Sequence, residues 1–394
     1  MSTQELPKAS LYYYKNSVWS SARKCRAVDA CDVDAMLTRL CSPPRPVGTL
    51  HMIALASPSH PTAYREEKGY GPDEVNLKEV DLSKGENYLT SYLRINNNGT
   101  VPTLVVPLST TLDPEIESRY KAIKDTKAIV ELLDKSRSPQ SHTHTTSTAP
   151  APALAPATIA FATASNKVLE LLHSEAADPN QLMYFGARDD AELKAVAPQL
   201  LPVLTAKHDA LERLIKGNDA SEVKVSDKTV QFWETKWFAA KAVLDVMREC
   251  EKDEEALAAG SSAKRDEYFK AARTAWMGVR EVFMELHKEI IGPYVLGDQL
   301  SIADLHLAAW LTRIAHLSGA TAADDGNTVV TKIEAHVGSG FSLPKDFSVA
   351  EARRRAGLPA LNIAPTERQS RFAAFWDAVK ERASWKKVYA DGLH

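Results

Sequence analysis

Residues 96–104, Asn-Asn-Asn-Gly-Thr-Val-Pro-Thr-Leu, constrain the fold more than any other stretch of the chain. Asn98-Gly99 is a tight-turn dipeptide, and Thr103 to Val106 has the β-branched, apolar character of a buried strand. Pro102 stands at the head of that strand. Proline has no N–H for a sheet ladder, so it belongs at an edge, a bulge or a strand's first residue. An X-Pro bond that is cis at this position turns the N–H and C=O of Val101 away from the sheet, toward a groove. Those two groups can then pair with the backbone of an extended peptide.

Composition removes several classes of function. The chain has 394 residues, 44% hydrophobic and 25% charged, enough for two or more domains with their own cores. A formal net charge of -3 gives no basic balance for nucleic acid or an anionic membrane surface. No apolar run reaches the length of about 18 residues that a membrane span needs, and no secretory leader is evident. Cys25, Cys31, Cys41 and Cys250 fit no zinc or redox spacing and read as free thiols in a reducing compartment. The expected address is the cytoplasm. Asn98-Gly99-Thr100 matches a glycosylation sequon but reads as a turn without a leader.

The chain changes character near residue 136. Before it, short β-type runs (Leu11 to Tyr14, Val75 to Val80, Thr103 to Val106) mix with helical patches such as Asp125 to Leu133. Residues 136–158 are rich in Ser, Thr, Pro and Ala and read as a flexible, partly extended linker. His142 and His144 lie in that tract without a third ligand, so no metal is expected there. Beyond 159 the pattern is helical, with long segments at 190–216, 226–251, 264–290, 301–318 and 367–390. Trp233 and Trp237 share one helix face, as do Phe372 and Trp376, and core packing explains both pairs.

Two further motifs carry information. Asp125-Thr126 opens a helix whose apolar face is Ile129, Leu132 and Leu133. An acidic residue or a hydroxyl there caps free N–H groups. The same helix start can take a carboxylate through its amides and dipole, while the acidic side chain holds a neighbouring ammonium. Ser301-Ile-Ala-Asp304 is a capping box at the start of a buried helix.

In this order the three motifs resemble the cytosolic glutathione transferase family, particularly its fungal members. The likeness includes Leu11–Trp19, Glu66–Tyr70, Asn98–Leu104, Asp125–Leu133, Ser301–Leu305 and Phe375–Leu393. It implies a thioredoxin-like α/β domain over residues 1–135, a linker at 136–158 and an all-helical domain at 159–394. By the same resemblance Val101, beside Pro102, would bind the cysteinyl backbone of glutathione, and Asp125 with Thr126 its γ-glutamyl end. Asp-Thr replaces the family's common Glu/Gln-Ser. The activating hydroxyl is expected in the Lys15–Ser21 loop, at Ser17, with Ser20 and Asn16 as rivals and Tyr14 behind them. A serine capping the first helix is the alternative role for Ser17. A hydroxyl that donates to the sulfur stabilises the thiolate, which is the nucleophile.

The resemblance also implies a hydrophobic electrophile, lodged near Phe232, Trp233 and Trp237, and a homodimer. The alternative is a non-catalytic binding or regulatory protein that keeps the fold. Residues 23–64 depart from the family pattern, with Pro43-Pro44-Arg45-Pro46, Pro58 and Pro61 and no amphipathic period. They are either a surface insertion or translated non-coding sequence, and the abrupt return of the pattern at Glu66 favours the second. Pro107–Lys124, longer than a tight hairpin, is the other departure.

Overall fold

In a computed structural model, the described residues are 9–13, 59–71, 74–107, 120–138, 147–220, 224–338, 340–362 and 364–393. Tyr14, Cys25, Cys31, Cys41, His142 and His144 lie outside them.

Strands β1 (Ala9–Tyr13), β2 (Val75–Glu79), β3 (Thr103–Pro107) and β4 (Tyr120–Ile123) form one sheet in the order β2-β1-β3-β4. β1 and β2 are parallel, with Leu11 opposite Leu77. β3 runs antiparallel to β1, with Leu104 opposite Leu11, and β4 antiparallel to β3, with Ile123 opposite Leu104. Parallel neighbours require a crossover, and helix α1 (Ser59–Glu67) lies in it. The short α2 (Thr90–Leu93) precedes β3, and α3 (Thr126–Ser136) follows β4. This order and register are those of a thioredoxin-like domain. The departure at 23–64 ends inside α1, so the crossover helix is present, and β4 occupies the end of the 107–124 departure.

Every later helix belongs to the helical part, α4 (Ile159–Leu172), α5 (Pro179–Tyr184), α6 (Asp190–Asp219), α7 (Asp227–Arg248), α8 (Ala259–Glu289), α9 (Ile302–Leu317), α10 (Gly326–Val337), α11 (Val349–Arg355), α12 (Arg371–Lys380) and α13 (Ala383–Val388), which is not wholly helical, since β5 (Phe347–Ser348) pairs antiparallel with β6 (Arg368–Gln369). The segment expected as one helix at 367–390 is two, because Glu381 and Arg382 separate α12 from α13 and Arg382 takes an extended ψ of 142°. Phe372 and Trp376 lie in the largest apolar cluster with Phe283 and Trp310.

Consecutive residues of a strand face opposite sides, and β1 shows what each side covers. Leu11 joins Tyr64, Leu104, Ile129, Val130, Ile302 and Leu305. Tyr12 packs edge-on against Tyr92 at 5.9 Å, in the cluster that includes Val101, Leu204 and Val243. The Leu11 side of the sheet is thus covered by α1 and α3 together with Ile302 and Leu305, and the Tyr12 side by Tyr92 together with Leu204 and Val243. Residues 147–158, expected to be flexible, have no helix or strand, yet their backbone is held. The Asp134 carboxylate accepts from the amides of Leu154 and Ala155, each at 3.1 Å. Lys68, paired with Asp134 at 3.0 Å, donates to the Pro152 carbonyl.

Candidate functional site

The turn before β3 is built from buried polar groups. Asn96 Nδ2 donates to the Thr100 carbonyl at 2.7 Å, to Thr100 Oγ1 at 3.0 Å and to Thr103 Oγ1 at 2.9 Å. The Tyr92 hydroxyl donates to the same carbonyl at 2.6 Å, and Asn87 Nδ2 donates to the Gly99 carbonyl at 2.8 Å. Gly99 sits at φ 60°, and a Cβ there would lie 3.1 Å from the Asn87 carbonyl oxygen and 3.2 Å from Phe232. The position therefore requires glycine on two counts, left-handed backbone and close approach. The turn delivers Val101-Pro102, whose peptide bond is cis, to the head of β3.

Val101 makes no main-chain hydrogen bond with another described residue. It is 1% exposed, covered in the cluster that holds Tyr184, Leu204 and Val243. Its N–H and C=O are buried with it.

Asp125 and Thr126 stand at the start of α3, which β4 places beside β3. Asp125 has extended backbone and is the N-cap; its Oδ1 accepts from the Ala128 amide at 2.8 Å. The capping role read from the sequence is present. Thr126 differs: it is 1% exposed, and its hydroxyl has no hydrogen-bond partner among the described residues. The amides of Thr126 and Lys127 are likewise without acceptors there, as first-turn amides are. Lys124, one residue before the cap, donates to Asn97 Oδ1 at 2.6 Å and so ties the start of α3 to the turn before Val101. Ser17, Ser20 and Asn16 lie outside the described residues.

Behind the start of α3 lies a histidine pair that the sequence pattern does not reveal. His173 Nε2 and His306 Nδ1 are 2.8 Å apart, joining the end of α4 to α9. Burial pushes His173 down to about 4, with Asp125 opposing and Lys127 reinforcing that shift. His173 is neutral at pH 7, and which ring donates depends on the tautomer. Lys127 donates to Asn166 Oδ1 at 3.0 Å, fixing the same junction.

The capping box at α9 is present. The Ser301 amide and hydroxyl donate to Asp304 Oδ2 at 2.7 and 2.6 Å, and the Val295 amide donates to Oδ1 at 2.6 Å. Burial pushes the Asp304 carboxyl up to about 6, against those donors. Of the aromatics expected near an electrophile, Trp233 is buried and its indole donates to the Tyr88 carbonyl at 3.0 Å. Phe232 meets Tyr88 at 6.2 Å. Both side chains bind α7 to residues 85–99. The network of Asn87, Tyr92, Asn96 and Thr103 was not singled out from sequence; its one signal was the run of three asparagines, which read simply as a turn.

No protein-family model matches the chain, and no curated protein does. Solved structures similar to it include the beta-etherase LigF from Sphingobium sp. strain SYK-6, at 13% identity with 98% of this chain and 100% of that chain covered and a TM-score of 0.44. A glutathione transferase from Populus trichocarpa matches at 11% identity, 97% and 98% coverage and a TM-score of 0.41. Gtt2 from Saccharomyces cerevisiae matches at 14% identity, 96% and 99% coverage and a TM-score of 0.39. Likeness at this level carries no argument about activity, and the fold rests on the strand order and register above.

Proposed function

We propose that the chain binds glutathione along the line from Val101 to Thr126 and activates its thiol for transfer to a hydrophobic electrophile. The observation that carries this reading is the Thr126 hydroxyl, buried at the start of an 11-residue helix with no partner among the described residues. A buried hydroxyl without a partner is costly, and a carboxylate accepting from it and from the free amides removes that cost. The γ-glutamyl carboxylate of glutathione has this chemistry, and the free oxygen lone pairs of the Asp125 carboxylate suit the adjoining ammonium. The cysteinyl backbone would pair with Val101 N–H and C=O once the cover over that residue shifts. Ser17 would donate to the sulfur. The thiolate then forms a carbon–sulfur bond with the electrophile as the leaving group departs with the bonding electrons.

A second reading, a glutathione-transferase-fold protein that binds without catalysis, draws on the 1% exposure of Val101. Two measurements separate the readings: glutathione titration by calorimetry, and conjugation to an aryl halide. Binding with conjugation supports the first, and binding without conjugation the second. Cytoplasmic location and a homodimer belong to the same proposal, and sedimentation at micromolar concentration tests the dimer.

A further inference from the structure

Helix α6 carries a histidine and two carboxylates whose ligand atoms converge. His208, Asp209 and Glu212 each place one such atom within 4.8 Å of the others. Helix geometry sets this up: His208 and Glu212, four apart, lie one above the other on a single face. Asp209 reaches toward that face, and its Oδ1 stands 3.1 Å from His208 Nδ1. Nitrogen and oxygen ligands held about 2.1 Å from one ion, at tetrahedral or octahedral angles, are about 3.0–3.4 Å apart. The His208–Asp209 pair already has that separation, which also suits a hydrogen bond.

The histidine separates this cluster from an ordinary acidic surface. Its side chain is 13% exposed, and its ring lies against the Trp237 indole of α7, with centroids 5.0 Å apart and planes at 35°. A ring packed in this way is oriented before an ion arrives, so little side-chain freedom is lost on binding. The carboxylates are more open, Asp209 at 56% and Glu212 at 39%, which leaves room for water to complete a coordination shell. Glu212 also pairs with Lys216 at 3.0 Å, an exposed ion pair that is readily exchanged for a divalent cation. We propose that His208, Asp209 and Glu212 bind a divalent transition-metal ion of the nickel, copper and zinc group. Imidazole suits those ions, whereas calcium and magnesium take oxygen ligands. None of Val101, Pro102, Asp125 or Thr126 belongs to this site, so its test is independent of glutathione binding.

Trp237 supplies the reporter, because Ni²⁺ quenches indole emission at close range and Zn²⁺ does not. Titration of the full chain with Ni²⁺ should give a saturable loss of fluorescence that is largely absent in Trp237→Phe. Excess Zn²⁺ should displace Ni²⁺ and restore the emission, and Mg²⁺ should not. His208→Phe keeps a ring against Trp237 and removes the nitrogen ligand; Glu212→Gln keeps the side-chain shape and removes the charge. Each should weaken Ni²⁺ binding about tenfold or more, at least the scale of losing a group that only supports a ligand. Both variants should melt close to the parent, since neither position is in the core. No saturable quenching, quenching that survives in Trp237→Phe, restoration by Mg²⁺, or Ni²⁺ affinity in either ligand variant equal to the parent's overturns the proposal.

Discussion

Asn96 Nδ2 stands 2.9 Å from Thr103 Oγ1 and 2.7 Å from the Thr100 carbonyl, so one amide group closes the turn that delivers Val101 to β3. These partners are buried; the Tyr92 hydroxyl keeps a donor on the Thr100 carbonyl, so the desolvation cost of losing Asn96 falls on Thr100 Oγ1 and Thr103 Oγ1. Asn96→Ala should therefore destabilise the fold by about 2–4 kcal/mol, measured by urea unfolding. It should also weaken glutathione binding, because Val101 follows directly. A loss below about 0.5 kcal/mol, the range of ordinary surface substitutions, would show that the network does not hold the turn.

Asp304 and His173 oppose each other in acid. With its carboxyl at about 6 in the folded state, Asp304 takes up a proton at higher pH than in the unfolded chain, where the value is about 3.9. The folded state binds more protons in that window, so this contribution is full below about 4 and is lost as pH rises through about 6. His173, at about 4 when folded and about 6.5 when unfolded, does the reverse: its contribution is present above 6.5 and is lost as pH falls toward 4. Each difference of about two units corresponds to about 3 kcal/mol. Relative to the parent chain, His173→Asn should gain stability on acidification from 6.5 to 4, and Asp304→Asn should lose it. Parallel stability–pH curves for both variants and the parent would contradict these assignments.

The thioredoxin-like order was legible because it rests on local signals. The strand runs, the Asn-Gly turn, the proline at a strand head and the Asp125 cap act within a few residues. The long helices were legible from their apolar period: 190–216 is α6 at Asp190–Asp219, and 301–318 is α9 at Ile302–Leu317. What stayed hidden depends on distant partners. The break between α12 and α13 coincides with Arg382 reaching Glu67, a contact no periodicity contains. Helix α4 was not separated from its surroundings because its first turn is apolar yet exposed, with Ile159 at 88%. The stretch 147–158 looked flexible because Ser, Pro and Ala bury little; Asp134 and Lys68 hold its backbone. For the site, residue types at Asp125 and Thr126 were readable, but the missing partner of the Thr126 hydroxyl was not.

Ser17 is tested by the acidity of the bound thiol. Ser17→Ala should leave glutathione affinity nearly intact, since Val101, Asp125 and Thr126 hold the ends. The thiolate loses a hydrogen bond worth roughly 1.5–3 kcal/mol, which raises the thiol pKa by about one to two units. Conjugation near neutral pH should fall about tenfold or more and recover in part at alkaline pH. Thiolate absorbance followed against pH reads the shift directly. An unchanged thiol would return Ser17 to the role of a helix cap and direct the same test to Ser20 and Asn16.

The account rests on Thr126, and one comparison addresses it: calorimetric titration of glutathione into the parent chain and into Thr126→Val, each checked for folding by thermal melting. Valine matches threonine in shape and removes a buried hydroxyl that has no partner among the described residues. The variant should therefore melt at or above the parent's temperature. It should also bind glutathione about tenfold more weakly, having lost a hydrogen bond to a carboxylate. Saturable one-to-one binding by the parent with that loss in the variant is the predicted result. No binding by the folded parent at millimolar glutathione, or equal binding by both proteins, would contradict it.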